Sequence, residues 1–214
     1  MLTLLKKHMR SITLFTFILG FLFSVNAQTA IKANFEKWTA YNSKPTFHEG
    51  IIHLENPSDK PALLWLNNTR FKNGTIEVDI KGNDVRGESF LGIAFHAVDN
   101  ENYDAVYFRP FNFRSPERKS HSIQYVNLPE NDWDMLREKY PGKYENVVQP
   151  VPDPNDWFRA KIVIDFPLVK VYVNGSSEPS LVVEQLSKTL SGRLGLWVDS
   201  KDGWFKNVVI THAK

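Results

Sequence analysis

The chain has 214 residues, a formal net charge of +2 and no cysteine. The absence of cysteine excludes disulfides, thiol catalysis and cysteine-based metal sites. The basic residues ahead of position 28 account for the positive balance, so the remainder is near neutral and has no electrostatic footprint for nucleic acid.

Residues 1–27 have the pattern of a secretory signal peptide. A basic segment, "KKHMR", precedes the apolar run "SITLFTFILGFLFSV", and the small residues of "VNAQTA" follow. The apolar run is shorter than the ~20 residues that a membrane-spanning helix needs. We therefore predict cleavage after Ala27 or Ala30, a single mature domain over 28–214 without a membrane anchor, and a periplasmic or extracellular location.

Beyond residue 46, apolar and polar residues alternate in short runs separated by turn residues. The runs "GIIHLEN" and "ALLWLNN" come first, and in "GTIEVDIKG" the residues Ile76, Val78 and Ile80 face one way. The later predicted strands are "SFLGIAFHAV", "YDAVYFRP", "HSIQYVN", "WFRAKIVID", "VKVYVNG", "GRLGLWVD" and "WFKNVVITH". This pattern predicts an all-β fold of two antiparallel sheets, each with one buried and one exposed face.

One long segment, residues 126–157, interrupts the strands. Within it, "DWDMLREKY" predicts one short helix, capped by Asn131 or Asp132 and ended by a Pro-Gly pair. Trp133 and Leu136 share a face of this helix, so we expect both to pack on the sandwich rather than contact a ligand. The rest of the segment is expected to form a surface excursion.

Several motifs together resemble the concanavalin A-like lectin/glucanase superfamily. The closing "GRLGLWV" and "GWFKNVVI", and the earlier "KIVI" with "VYVNG", are most similar to the bacterial secreted DUF1080 (3-keto-disaccharide hydrolase-like) domains. This resemblance implies a two-sheet antiparallel jelly-roll sandwich. The fold carries lectins, glycosidases, lyases and adhesion modules, so the function has to be argued from the site.

Glu77 and Asp79 are the first catalytic candidates, because residues i and i+2 of a strand share a face. Two carboxylates can act as acid and as nucleophile or base in glycoside hydrolysis. Glucanases of the resembled superfamily carry Glu-x-Asp-x-x-Glu, but Gly82 stands here in the place of the last carboxylate. The alternative is a pair of acids on a solvated sheet face.

His96 and Asp104 are the other catalytic candidates. His96 is predicted to share its strand face with Gly92 and Ala94, so it would project from an uncrowded surface. A histidine beside carboxylates can serve as a general base. The alternative is a structural polar residue, and no HxH or HExxH spacing predicts a metal site around it.

The stretch "YFRPFNFR", residues 107–114, supplies most of the predicted ligand contacts. Tyr107 and Arg109 are predicted to face outward beside His96, where a tyrosine ring and an arginine fork suit the apolar face and the oxygens of a sugar. The alternative pairs Arg109 with Glu77 or Asp79 across the sheet. The further predicted contacts are Asn112 and Arg114 on the rim, Gln124 on the next strand, and Trp197 on a late strand.

We therefore predict a secreted carbohydrate-binding domain that recognises an oligo- or polysaccharide on its concave sheet. One alternative is a glycoside hydrolase or lyase of the 3-keto-disaccharide hydrolase-like group. Another is a protein-interaction module of the cell envelope, which predicts an exposed apolar patch. Calcium is the one cofactor kept as a candidate, with the oxygen ligands Asp99, Asn100, Glu101 and Asp104.

Overall fold

The computed structural model describes residues 28–31 and 34–213, so the predicted signal peptide lies outside the described residues. Within them, two antiparallel sheets pack face to face and one α-helix accompanies them. The predicted all-β sandwich with one short helix is confirmed. None of the helices in the described ranges has the length and apolar character needed to cross a bilayer.

One sheet has eight strands. They are β1 (Gln28–Ala30), β3 (Lys44–His48), β4 (Ile51–Glu55), β6 (Gly74–Lys81), β11 (Phe158–Asp165), β12 (Leu168–Val173), β13 (Leu181–Glu184) and β15 (Asp202–His212). The spatial order is β13-β12-β11-β6-β15-β4-β3, and β1 pairs with β15.

The other sheet has seven strands. They are β2 (Trp38–Tyr41), β5 (Ala62–Leu66), β7 (Phe90–Ala97), β8 (Tyr103–Phe108), β9 (Ile123–Leu128), β10 (Glu145–Asn146) and β14 (Arg193–Asp199). The spatial order is β10-β9-β8-β7-β14-β5-β2. The first and last of the described strands, β1 and β15, pair with each other in the eight-stranded sheet.

The core lies between the two sheets and follows from the alternation of each strand. Ile76, Val78 and Ile80 of β6 are buried, as predicted, while the intervening acids are half-buried. Phe108 of β8 meets Phe158 of β11 edge to face across the core, with ring centroids 4.9 Å apart. Such contacts between large apolar side chains tie the two sheets together.

The α-helix, α1 (Trp133–Lys139), begins where the sequence predicts it. The Asp132 carboxylate accepts a hydrogen bond from the Trp133 backbone N–H at 2.7 Å, which caps the helix. Leu136 is 1% exposed and packs into the core, as predicted. Trp133 is 43% exposed, so its predicted packing on the sandwich is wrong: its ring instead carries the Arg137 guanidinium at 5.0 Å.

The outer face of the seven-stranded sheet is covered instead of forming the open concave surface that the sequence predicts. Tyr103, Tyr107 and Trp197 lie on this face and are buried. Gly92 stands between Tyr107 and Trp197 in one cross-strand row, and the missing side chain lets their rings meet at 4.8 Å. Glycine at positions 92 and 195 therefore accommodates the adjacent strands and, at Gly195, the Trp65 ring.

Three short 3-10 turns complete the described structure. They are Phe35–Lys37, Pro110–Asn112 and Lys119–His121. Pro110 cannot donate a backbone hydrogen bond, so β8 ends before it and the chain turns over the end of the sheet. This turn and α1 border the part of the outer face that stays accessible.

Candidate functional site

One end of the outer face remains open as a groove of about 280 Å³. It forms where β8 ends, β7 begins and β14 ends. We call it the arginine groove and define it by six of its lining residues, Arg86, Tyr107, Arg109, Arg118, Trp133 and Asp199. Of the predicted contacts, Tyr107, Arg109 and Asn112 lie here.

Arg109 forms the floor of the arginine groove and is only 5% exposed. Its guanidinium donates to the Tyr107 Oη at 2.6 Å, the Gln124 Oε1 at 3.1 Å and the His121 carbonyl oxygen at 3.0 Å. Burial lowers the pKa of Arg109 from its ordinary value, but an arginine keeps its charge in proteins. The floor therefore carries a fixed positive charge held by neutral acceptors.

Aromatic rings pack beside this charge. The Arg109 guanidinium carbon lies 4.8 Å from the Tyr107 ring centroid and 5.7 Å from that of Phe90. Behind Tyr107, the Trp197 Nε1 donates to the Tyr103 Oη at 3.1 Å. These contacts fix the rotamers of the floor before any ligand arrives.

Gln124 and Trp197, two predicted ligand contacts, lie beneath the floor instead of on it. Both are buried, and neither lines the groove. Gln124 acts on Arg109 through its amide oxygen, and Trp197 supports Tyr107 through ring packing. Because both side chains are shielded from solvent and contact groove residues, their role is to position Arg109 and Tyr107.

The 3-10 turn after β8 shapes one wall of the groove. The Asn112 side-chain amide donates to the His121 carbonyl oxygen at 3.0 Å and its oxygen accepts from the Arg118 Nε at 3.2 Å. Arg114, predicted on the same rim, lies outside the groove and pairs with Asp153 at 3.2 Å. Asn112 is buried in the turn, whereas Arg114 extends into solvent toward Asp153.

Helix α1 supplies the opposite wall with Trp133 and Arg137, which the sequence analysis missed as site residues. Their spacing of four residues was the available signal, since i and i+4 share a helix face. Arg137 makes a two-point contact with the Glu145 carboxylate at 3.0 and 2.6 Å, and the His121 Nδ1 lies 2.8 Å from the same carboxylate. Burial would raise the pKa of Glu145, but these contacts outweigh it and lower that pKa.

Asp199 and Asp132 are two further acids that the sequence analysis did not select. Asp199 ends β14 and lines the groove, and Asp132 precedes Trp133 at the start of α1. Burial raises the pKa of each carboxyl, and the negative charge of Asp132 raises the pKa of Asp199 further. Each is therefore more readily protonated than an ordinary aspartate.

Glu77 and Asp79 lie on the outer face of the other, eight-stranded sheet. Arg159 of the adjacent strand β11 contacts both carboxylates, at 3.3 and 3.1 Å. The alternative that paired Arg109 with these acids is wrong, because the sandwich core separates them. Neither acid lines the arginine groove.

His96 and Asp104 are both fully buried, which contradicts the prediction that His96 projects from an open face. The His96 Nε2 lies 2.6 Å from the Lys72 carbonyl oxygen, and its Nδ1 lies 3.0 Å from the Gln185 Nε2 and 3.5 Å from the Asp104 carboxylate. Asp104 also accepts from the Tyr125 hydroxyl at 2.8 Å. This network ties two strands of the seven-stranded sheet to Lys72 and Gln185 of neighbouring segments, and neither the His96 nor the Asp104 side chain is exposed to solvent.

The backbone explains why His96 departs from its predicted face. His96 has a φ of +52°, and the pairing of β7 with β14 shifts between Arg193 and Gly195. A bulge of this kind re-aims the side chain beside it. The strict alternation that placed His96 with Gly92 and Ala94 therefore fails at this residue.

A second, polar cleft of about 470 Å³ lies at the other end of the same strands, beside Tyr103. It is bordered by Asp99, whose carboxylate accepts from the backbone N–H groups of Glu101 and Asn102 at 2.8 and 2.7 Å. These bonds lower the pKa of Asp99 and engage its oxygens within the turn.

The predicted calcium ligands do not converge near this cleft. Asp99 is engaged in its own turn, while Asp104 points into the interior. Throughout residues 28–31 and 34–213, no three His, Cys, Asp or Glu side chains are grouped to hold a metal ion. Calcium stays a prediction, and no step below depends on it.

Comparison with protein families gives one match that covers most of the chain. Residues 30–211 match the model of the 3-keto-alpha-glucoside-1,2-lyase-like domain. A search of curated proteins found no match.

Solved structures share the fold at low sequence identity. The carbohydrate-binding module CBM66 from Bacillus subtilis has a TM-score of 0.59 and 17% identity, over 81% of this chain and 95% of that one. A Parabacteroides distasonis protein assigned provisionally to the glycosyl hydrolases has a TM-score of 0.56 and 15% identity, over 85% and 90%. The carbohydrate recognition domain of Emp46p, in a metal-free form, has a TM-score of 0.54 and 15% identity, over 83% and 88%.

Proposed function

Because the chain belongs to the family of 3-keto-alpha-glucoside-1,2-lyase-like domains, we propose that it is a secreted protein that binds carbohydrate in the arginine groove. The observation that carries the proposal is the floor of the groove, where Arg109 is locked by neutral acceptors between aromatic rings. The ligand is an oligo- or polysaccharide. Similar folds in a carbohydrate-binding module and in a carbohydrate recognition domain support this proposal.

The groove offers the two kinds of contact that a sugar requires. Three of the five N–H groups of the Arg109 guanidinium donate to protein oxygens, so the Nε–H and one Nη1–H remain for ligand oxygens. Trp133 presents an exposed ring at the rim, and such a ring packs well against the apolar face of a pyranose. Preorganised polar groups give orientation, and the aromatic surface gives affinity.

The test is retention of purified protein on immobilised glycans, compared with Arg109→Gln. Loss of a charged hydrogen-bonding group costs about 1.5–3 kcal/mol, so we expect retention to weaken by about 10-fold or more. Trp133→Ala is a second variant, since its exposed position leaves the fold intact. Arg70→Gln is the matched control, because Arg70 is exposed and lies outside the groove.

Equal retention of the wild type, Arg109→Gln and Trp133→Ala would contradict the proposed site. Thermal unfolding of each variant shows whether a loss of retention reflects a loss of fold. The competing protein-interaction module receives less support, because among the large apolar side chains exposed in the described residues only Trp133 borders the groove.

A second candidate function is a lyase or glycosidase acting in the same groove. Asp132 and Asp199 favour it, since their raised pKa values suit carboxyls that exchange protons. In an elimination from a 3-keto-glycoside, one carboxylate would take the proton next to the ketone. A carboxylic acid would protonate the departing glycosidic oxygen, and Arg109 would stabilise the enolate oxygen.

Release of sugar from 3-keto-glycosides tests the second candidate in the same tubes. Release that is lost in Asp199→Asn or Asp132→Asn, with glycan retention kept, assigns the enzyme. Retention without release in the wild type assigns a binding module. Neither His96 nor Asp104 suits the role of base, because both side chains are fully buried.

A further inference from the structure

The arginine groove contains more positive charge than its own acids neutralise. Four arginines line it, and Asp199 is the single carboxylate among the lining residues of the described chain. Arg137 has its own partner in Glu145. The other three arginines determine which ligand charge the groove favours.

Arg109 is the first of these uncompensated charges. Its three hydrogen-bond acceptors are a hydroxyl, an amide oxygen and a backbone carbonyl, and it has no ion pair with an acid in the described part of the chain. A charge removed from water is costly unless a counter-charge approaches it. Neutral acceptors orient the guanidinium but offset little of the free-energy cost of removing its charge from water.

Arg86 and Arg118 extend the excess positive charge to the rim of the groove. Arg86 is exposed and forms no hydrogen bond or ion pair with any residue that the structure describes. Arg118 donates to the neutral Asn112, and its nearest acid, Glu117, is 4.0 Å away with a side chain 78% exposed. An ion pair that long and that exposed contributes little neutralisation.

The two acids near the floor do not reverse this balance. Asp132 is exposed and does not line the groove, and burial raises the pKa of Asp199, the acid that does. Neither has a hydrogen bond or ion pair with the groove arginines in the described residues; each accepts from the backbone N–H that follows it. The guanidinium groups therefore remain available to a ligand.

From these contacts we propose that the ligand of the arginine groove is an anionic saccharide, one that bears a carboxylate or a sulfate. This inference rests on the proposed function, which supplies the carbohydrate ligand, and adds that the ligand carries a negative charge. Arg86, which has no partner among the described residues, offers a complete guanidinium fork that matches a planar carboxylate or a sulfate at two points. Arg109 adds its charge and the N–H groups that its protein acceptors leave unused. A neutral sugar would leave Arg109 desolvated without a counter-charge, so the groove discriminates against it.

The test measures binding of oligogalacturonate, its carboxyl-reduced neutral counterpart and a sulfated galactan to the purified protein. We expect oligogalacturonate to bind at least about 10-fold more tightly than the neutral counterpart. The difference should shrink as NaCl rises, because salt screens the exposed Arg86 and the partly exposed Arg118. Arg86→Gln should weaken anion binding about 3-fold or more, and Arg70→Gln, which removes an equal charge elsewhere, should not.

Each outcome assigns a different conclusion. Equal binding of the neutral and acidic oligosaccharides, insensitive to salt and to Arg86→Gln, overturns the anionic ligand and leaves carbohydrate binding intact. Retention of the sulfated galactan but not oligogalacturonate supports an anionic ligand and identifies the sulfate. Retention of no glycan on a wide panel overturns the proposed function, and the anionic saccharide with it.

Discussion

Single side chains in the arginine groove are oriented before a ligand arrives. Arg109 is held by three neutral oxygens, and Tyr107 is held by Arg109 and by the Trp197 ring. Side chains that are already immobile lose little entropy on binding. That Tyr107 and Arg109 lie on the same face was predictable, because alternate residues of a strand point to the same side.

Trp133→Ala tests the contribution of the exposed ring. A sugar-aromatic contact contributes about 1 kcal/mol, so we expect the Kd for a retained glycan to rise about fivefold with little change in Tm. Isothermal titration and thermal unfolding measure the two quantities. Tyr140→Ala is the control, since Tyr140 is equally exposed on the same segment but lies outside the groove; a similar loss there would contradict a specific role for Trp133.

Glu145→Gln tests the buried carboxylate that joins Arg137 and His121. Because both partners are partly exposed, we expect a loss of about 1–2 kcal/mol in the free energy of unfolding at pH 7. The pKa of Glu145 is lowered in the folded state, so its stabilisation is present above the ordinary pKa of 4.5 and disappears as the pH falls through the lowered value.

Urea unfolding of the wild type and of Glu145→Gln across pH 7 to 3 measures this difference. The gap between the two proteins should narrow steadily below about pH 5. A gap that stays constant with pH, or widens in acid, would show that the ion contacts of Glu145 do not stabilise the fold.

At the scale of elements, α1 connects the excursion to the sheet and carries one wall of the groove. Its cap at Asp132 and its amphipathic pair Trp133 and Leu136 were visible in the sequence. Which of the two apolar residues is buried was not, because helix periodicity gives a shared face and not the depth of each residue. Tertiary packing places Leu136 inward and leaves Trp133 at the rim.

Leu136→Ala tests how firmly this helix is docked. Removal of a buried leucine side chain costs about 2–5 kcal/mol, so we expect a clear drop in Tm. Glycan retention should fall as well, because the groove residues Trp133 and Arg137 lie on the same helix and lose their positions if it undocks. Glu138→Ala, a change at an exposed position of α1, should stay within about 0.5 kcal/mol of the wild type in unfolding free energy; equal effects would contradict docking through Leu136.

At the scale of the whole molecule, the two sheets keep the acids of β6 apart from the arginine groove. Glu77 and Asp79 share the outer face of the eight-stranded sheet, and the groove opens on the outer face of the other sheet. Arg159 already contacts both acids. These two carboxylates therefore stabilise the surface of the eight-stranded sheet by pairing with Arg159.

The double variant Glu77→Gln/Asp79→Asn tests this separation. Partly exposed ion pairs contribute about 0–1 kcal/mol each, so we expect a small loss of stability and unchanged glycan retention. Retention assays beside Arg109→Gln make the comparison in one experiment. A loss of binding or of sugar release in the double variant would place the functional face on the eight-stranded sheet.

The sequence by itself determined the sandwich, the strand alternation, the short capped helix and the pairing of Tyr107 with Arg109 on one face. These features depend on local periodicity and on capping, which residues a few positions apart decide. Only the tertiary structure decided which polar residues reach a ligand. A bulge turned His96 inward, the cover over the seven-stranded sheet buried Gln124 and Trp197, and the folding of distant segments brought Arg86, Arg137 and Asp199 to Arg109. Exposure and proximity depend on contacts between distant segments, and strand periodicity carries no information about them.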